Sequence, residues 1–315
     1  MSCDSSEKLS LPEAQEGFLN IVRKLNNSDN LKQFLDWIQW NWLNDCNLKD
    51  TETSEEILDA IASDLRSSLP PEAILPSETI RPPAFGKNSD CTQEHTVHVD
   101  EFLYDNATVD ALCDEGKLAR NYCLQCGSFS TRPLTFISHS LSREKLLLIF
   151  KSVLPPLDNK IVLDIGSRLG AALFGAYVYS KAAKIVGIEI NSDFCNIQNK
   201  VIKKYNFQDR IEIIEGNIAH RPDVILSADV IIMNNVFEFF MEPEQQTSMW
   251  RFLRQTIKSG TLLVTIPSLE ETFSSLQTGI ILSEWVQELP SYNPDAAGIT
   301  LSADEMLEVK QYQIM

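Results

Sequence analysis

Apolar residues follow two different periods along this chain, and the change of period divides it. Up to about residue 69 they recur every three or four positions, the spacing of one helix face. Phe18, Leu19, Val22 and Leu25 make one stripe; Leu31, Phe34, Leu35, Ile38 and Trp42 make a second, with Trp37 and Trp40 beside it. Ile57, Leu58, Ile61 and Leu65 make a third. There Ser54 suits an N-cap and Glu55 and Glu56 suit the first turn, which predicts a helix over 54–69. Residues 1–69 are therefore expected to form an N-terminal helical region. Pro70, Pro71, Pro76, Pro82 and Pro83 then interrupt every period. Residues 70–158 read as a linker or strap, with a short acidic helix over 105–117 and a helix over 142–153 that Pro155 and Pro156 stop.

From residue 159 the apolar runs shorten and alternate with helical stripes. Ile161–Leu163, Ile185–Ile190, Arg210–Ile214, Asp229–Met233 and Leu262–Ile266 have no helical period, as suits strands buried on both faces of a parallel sheet. Helices are expected at 171–181, 192–205 and 243–257, and two last strands at 280–289 and 308–314. This alternation predicts an α/β fold, a doubly wound and mostly parallel sheet, over residues 159–315.

The totals change this picture little. An apolar content of 43% over 315 residues is enough for a sizeable core. The net charge is −17, of which −11 falls before residue 159. That speaks against direct binding to nucleic acid or an anionic membrane surface; it suits a basic protein partner, and it equally suits plain solubility. No apolar run approaches the ~20 residues of a membrane-spanning helix. The first ten residues have no apolar core, and the seven cysteines are irregularly spaced, so reduced thiols in cytoplasm or nucleus are expected.

The chemistry concentrates in Lys160–Asn191. Gly166 and Gly170 open the turn between the first strand and its helix, where a bare backbone can approach a ligand closely. Glu189 ends the next strand about 20 residues later, the place of an acid that accepts from a ribose diol. Together they outline a nucleotide-type cofactor site. Motifs of hydrolases and phosphoryl-transfer enzymes (G-x-S-x-G, the P-loop, H-E-x-x-H) are absent from the sequence.

Residues 160–314 resemble a class I S-adenosylmethionine-dependent methyltransferase. The family's D-x-G-x-G-x-G turn is matched by D-I-G-S-R-L-G from Asp164 to Gly170, with Arg168 in place of the middle glycine. The family's ribose acid corresponds to Glu189, and its Gly-Asp pair beside the adenine to Gly216-Asn217. The segment from Asn234 resembles the N-N-x-x-F stretch of histone lysine methyltransferases of the disruptor-of-telomeric-silencing type. The resemblance implies a seven-stranded Rossmann-like sheet and S-adenosylmethionine as cofactor. It implies cofactor contacts at Asp164, Gly166, Ser167, Arg168, Gly170, Glu189, Ile190, Asn217, Ile218 and Asn234. It implies acceptor-side roles for Asn234, Asn235 and Glu238, and methyl transfer to a protein, on a lysine or another amine. A small-molecule acceptor and a non-catalytic module whose N-terminal helices bind a partner remain the alternatives, the latter because Arg168 and Asn217 depart from the pattern and Arg tolerates positive φ poorly. At negative φ it would point outward or pair with Glu189 or a substrate acid. Phe237, Phe239 and Phe240 read as core or as walls around the sulfonium.

Cys123 and Cys126 have C-x-x-C spacing and are candidate zinc ligands. Cys91, Cys113, His95, His98 and His139 lie near them in the sequence, yet no second good pair completes a four-ligand set. Two reduced thiols in a turn are the other reading.

Overall fold

The computed structural model describes residues 53–81, 95–124, 131–290 and 301–315, with scattered positions between 17 and 34. The chain divides into two compact units, Met1–Thr53 and Ser54–Met315. In the first, helical backbone is described on both predicted stripes, and the rings of Phe18 and Phe34 stack with centroids 6.3 Å apart. Trp37, Trp40 and Trp42, and the cysteines at 91 and 126, lie outside the described residues.

In the second unit, the third predicted helix is α1 (Ser54–Arg66). It groups with the sheet and not with the residues before it, because Leu58, Ile61, Ala62 and Leu65 are buried in the sheet's own core. The strap region holds β1 (Thr96–His98), α2 (Asn106–Asp114), β2 (Asn121–Cys123), β3 (Thr131–Pro133) and β4 (Thr135–Ile137). The pairs β1–β4 and β2–β3 are two-stranded. Asp105 caps α2 by accepting from the Thr108 N–H at 2.8 Å. The helix expected over 142–153 is α3 (Arg143–Leu148), capped by Ser142, and continues as a π-helical turn over Ile149–Val153.

The sheet is built from β5 (Ile161–Ile165), β6 (Lys184–Glu189), β7 (Ile211–Glu215), β8 (Val230–Asn234), β9 (Leu262–Ile266), β10 (Val286–Glu288) and β11 (Lys310–Ile314). Its order is β10-β11-β9-β8-β5-β6-β7. The five strands from β9 to β7 are parallel; β11 and β10 close the sheet antiparallel. The intervening helices are α4 (Ala171–Tyr179), α5 (Ser192–Lys204), α6 (Pro222–Ser227), α7 (Pro243–Thr256), α8 (Leu269–Ser274) and α9 (Ala303–Glu308). Of the strand expected over 280–289 only the last part is extended; Leu282–Glu284 is a 3-10 turn, and Ile281 faces solvent. The apolar run there looks like a buried strand, but only Trp285 and Val286 are inside.

Alternate residues of each strand enter separate cores. Val162, Ile185, Val230 and Val264 pack with α1, α3, α4 and α5 on one face. Leu163, Val186, Ile231 and Leu263 pack with α6, α7, Trp250 and Trp285 on the other. A central strand hydrophobic on both faces must be covered on both, which is why the apolar runs are unbroken. The chain leaves β5 towards β6 on one side and reaches β8 on the other. That reversal opens a crevice at the carboxyl ends of these strands. No helix among the described residues is long and apolar enough to cross a membrane.

Candidate functional site

The crevice holds two cavities with a common wall. The first, of about 500 Å³, lies over the ends of β5, β6 and β8, a size that suits a drug- or cofactor-sized ligand. Gly166, Arg168, Glu189, Ile190, Asn217, Ile218, Asn234 and Asn235 all line it. Those of them implied as cofactor contacts are thus brought to one place. The other three, Asp164, Ser167 and Gly170, stand behind the lining. Asp164 is buried at the end of β5. The Ser167 hydroxyl donates to Gln198 Oε1 at 2.8 Å and ties the turn to α5. Gly170, at φ 89°, is the N-cap of α4. A Cβ there would lie 2.8 Å from the Phe174 ring, so the turn requires glycine. Gly166, at φ 74°, meets the same conformational demand directly under the cavity.

Glu189 is the electrostatic centre. Its Oε2 accepts the Arg168 N–H at 2.9 Å and its Oε1 the Asn191 N–H at 2.8 Å. Burial raises its pKa, opposed by these backbone hydrogen bonds. Asp164 has no such relief. Burial, and then the charge of Glu189, push its carboxyl up to about 7. Cys195 packs behind them with its thiol 3.5 Å from the Glu189 carbonyl, and burial raises its pKa to about 11.

The Asp164 shift fixes the sign of a pH effect. A carboxyl is near ~3.9 in the unfolded chain and about 7 here. The stability it contributes is complete below the unfolded value and is lost as pH rises through 7. Asp164→Asn removes the titration. The melting temperature of the variant relative to the wild type, both without ligand, therefore climbs between pH 5 and 8. A difference that stays constant over that range would show Asp164 to be ionised throughout.

Arg168 departs from both sequence expectations. Its φ is 45°, in the left-handed region, and it neither points outward nor pairs its side chain with Glu189. The guanidinium is buried. Nε and Nη2 donate to Glu78 at 3.2 Å each, Nη1 to Asp100 at 3.2 Å and Nη2 to the Ala73 carbonyl at 2.6 Å. The ~1–2 kcal/mol cost of a left-handed non-glycine residue is borne by contacts that a glycine could not make.

Asn217 both caps a turn and faces the cavity. Its Oδ1 caps the short turn Ile218–His220 by accepting the Ala219 N–H at 2.9 Å, and the residue lines the first cavity. With the carbonyl oxygen engaged, the NH2 group is the natural donor to a ligand ring nitrogen.

Asn234 and Asn235 line the second cavity as well, about 440 Å³ in volume. Asn235 holds φ 47° while its N–H donates to the Ile266 carbonyl at 2.7 Å. Glu238 lines the second cavity and not the first. Its carboxylate accepts the Phe237 N–H at 3.2 Å, and burial raises its pKa. Phe237 and Phe239 are core residues, whereas half-buried Phe240 lines the first cavity, as does one face of Phe237. His139 also lines it, a residue sequence reasoning placed only beside the cysteines. Its Nε2 sits 3.1 Å from His98 Nδ1, and burial, then the Arg168 charge, hold its pKa down at about 2. Ser77, Glu78 and Thr79, from the strap, were not anticipated either.

Of the zinc candidates, Cys126 lies outside the described residues, as does nearby Cys91. Cys123 is exposed at the end of β2, and His98 is engaged with His139. His95 stacks on Tyr122 at 4.0 Å. Among the described residues no three His, Cys, Asp or Glu side chains cluster as metal ligands.

A sheet of this order, with a glycine turn after its first strand and an acid after its second, defines a doubly wound cofactor-binding protein. Residues 163–263 match the family model of the methyltransferase domain. That match supports the resemblance of this unit to the class I S-adenosylmethionine-dependent methyltransferase superfamily. No curated protein matches the chain. Solved structures give partial likenesses. An RNA methyltransferase from Salinibacter ruber in complex with S-adenosyl-L-homocysteine is 18% identical over 54% of this chain and 86% of its own, with a TM-score of 0.33. A putative S-adenosyl-L-methionine-dependent methyltransferase from Methanococcus maripaludis is 23% identical over 39% and 52%, with a TM-score of 0.32. PKMT2 from Rickettsia typhi in complex with AdoHcy is 20% identical over 39% and 24%, also with a TM-score of 0.32.

Proposed function

We propose that this protein transfers the methyl group of S-adenosylmethionine to an amine, and that the amine is carried by a protein. One observation carries the reading: Asn234 and Asn235 form a wall shared by the cavity that fits the cofactor and by a second cavity with acidic lining. Glu101, Glu238, Glu271, Asp304 and Glu308 stand there against Lys145 and Lys310. Such a lining attracts a cationic side chain and disfavours an anionic one.

When bound, the cofactor supplies an electrophilic methyl group on a sulfonium. The chain's own residues do the rest. Glu189 keeps lone pairs for the ribose diol beyond the two N–H groups it accepts. The Asn217 NH2 meets the base. The Asn234 carbonyl oxygen accepts an N–H of the incoming amine and fixes its lone pair on the line of displacement, so positioning supplies most of the catalysis. An ammonium must lose a proton before it can attack. We assign that proton to Glu238, which lines the second cavity and whose pKa burial raises. Phe240 and Phe237 keep water from the reacting atoms.

Calorimetry with S-adenosylmethionine tests the first half, and labelled-methyl transfer into a cell extract separated by size tests the second. Binding followed by label in protein, stable to base as N-methyl groups are, is the expected result. No heat at millimolar cofactor sinks the enzyme reading; label confined to small molecules moves the acceptor out of the protein class.

A further inference from the structure

We propose that residues 75–81 form a clasp over the cofactor cavity and that Arg168 is its latch, a positioning residue that couples the clasp to the glycine turn. This rests on the cofactor reading above. The segment is tied down at three points, each on the loop that follows a different strand. Glu78 is held by Arg168, in the loop after β5, through two contacts of 3.2 Å. Ser77 pairs with Asn191, in the loop after β6, whose Nδ2 donates to the hydroxyl at 3.0 Å. The Arg81 N–H donates to the Phe239 carbonyl at 2.9 Å in the loop after β8, where the Arg81 side chain also pairs with Glu242. Between these ties Ser77, Glu78 and Thr79 form part of the cavity wall. Ser77 and its partner Asn191 adjoin Glu189, so the clasp lies at the ribose end.

The three ties differ in kind. Arg81 and Glu242 are more than half exposed, and such pairs contribute little. Arg168 and Glu78 have side chains only 8% and 6% exposed, and Asp100 is fully covered. Breaking one member of a buried cluster leaves uncompensated charge, so this tie decides whether the clasp is open or shut. The guanidinium also lies 4.9 Å from the centre of the Phe194 ring, which itself lines the cavity. The backbone of the same Arg168 donates to Glu189, the ribose acceptor. Any movement of the turn as a ligand seats on Glu189 is therefore passed to Glu78. A glycine at position 168 would hold the ligand but could not hold the clasp.

The test is the release rate of S-adenosylhomocysteine from the full-length protein. Glu78→Gln keeps the shape and removes the charge that Arg168 grips. We expect release at least ~10-fold faster, the size of a lost charged hydrogen bond, with association changed less than threefold. A Ser77→Ala/Thr79→Ala double variant, which uncovers no buried charge, should speed release ~3-fold with an unaltered ligand-free melting temperature. In the wild type, proteolysis within 75–81 should slow when S-adenosylhomocysteine is added. If the wild type does not bind at all, the cofactor reading fails. If it binds, and both variants release at the wild-type rate with no ligand protection of 75–81, the clasp is overturned and the cofactor reading survives.

Discussion

Replacing Glu189 by alanine will abolish measurable cofactor binding while the protein remains folded. Two hydrogen bonds from a ribose diol to a carboxylate contribute ~1.5–3 kcal/mol each, and a combined loss of that size lowers affinity by more than ~100-fold. The same carboxylate accepts the N–H groups of Arg168 and Asn191, so its removal also loosens the turn and the entry to α5. Glu189→Gln keeps one carbonyl acceptor and should retain part of the affinity. Titration calorimetry of both variants, with melting curves taken without ligand, separates contact from support. Wild-type affinity in the alanine variant would move the ribose contact to another side chain of the cavity, with Ser77 or Asn191 the first to test.

The second large effect falls on rate and not on affinity. Asn234 ends β8 where the two cavities meet, and its Nδ2 lies 3.5 Å from the His139 carbonyl, which orients the amide. With the NH2 directed at the protein, the amide oxygen is left to face an incoming N–H. Losing a group fixed in advance towards the reacting atom costs about 10²–10³ in kcat. Asn234→Ala should therefore lower kcat by about two orders of magnitude with the cofactor Kd unchanged within threefold. An equal loss in Kd, with kcat intact, would make Asn234 a cofactor ligand only. Asn235 is a poorer choice for this experiment, because its left-handed backbone makes any substitution a structural change as well.

How far sequence alone reaches differs from residue to residue. The position of Gly166, Glu189, Asn217 and Asn234 around one cavity was legible because a parallel sheet brings the residues that follow its apolar runs to its carboxyl end. Reading the run locates the residue. Arg168 was legible as an anomaly and nothing more. Its partners Glu78 and Asp100 lie 90 and 68 residues earlier, so no periodicity connects them. The helix Ser54–Arg66 was correct as an element but was grouped with the wrong neighbours. An apolar stripe states that a face is buried, not what buries it.

By itself the sequence determined the alternation of strands and helices, the glycine turn with its two conformationally obligatory glycines, and the acid that follows it. These are local consequences of side-chain period and backbone freedom, which act within a few residues. Only the tertiary structure decided that strap residues line the first cavity, that Arg168 bonds to Glu78 there, and that Asn234 and Asn235 line two cavities at once. Those depend on which distant segments the closed chain brings into contact. Burial then gives the ionised and hydrogen-bonding groups that meet there most of their energetic weight.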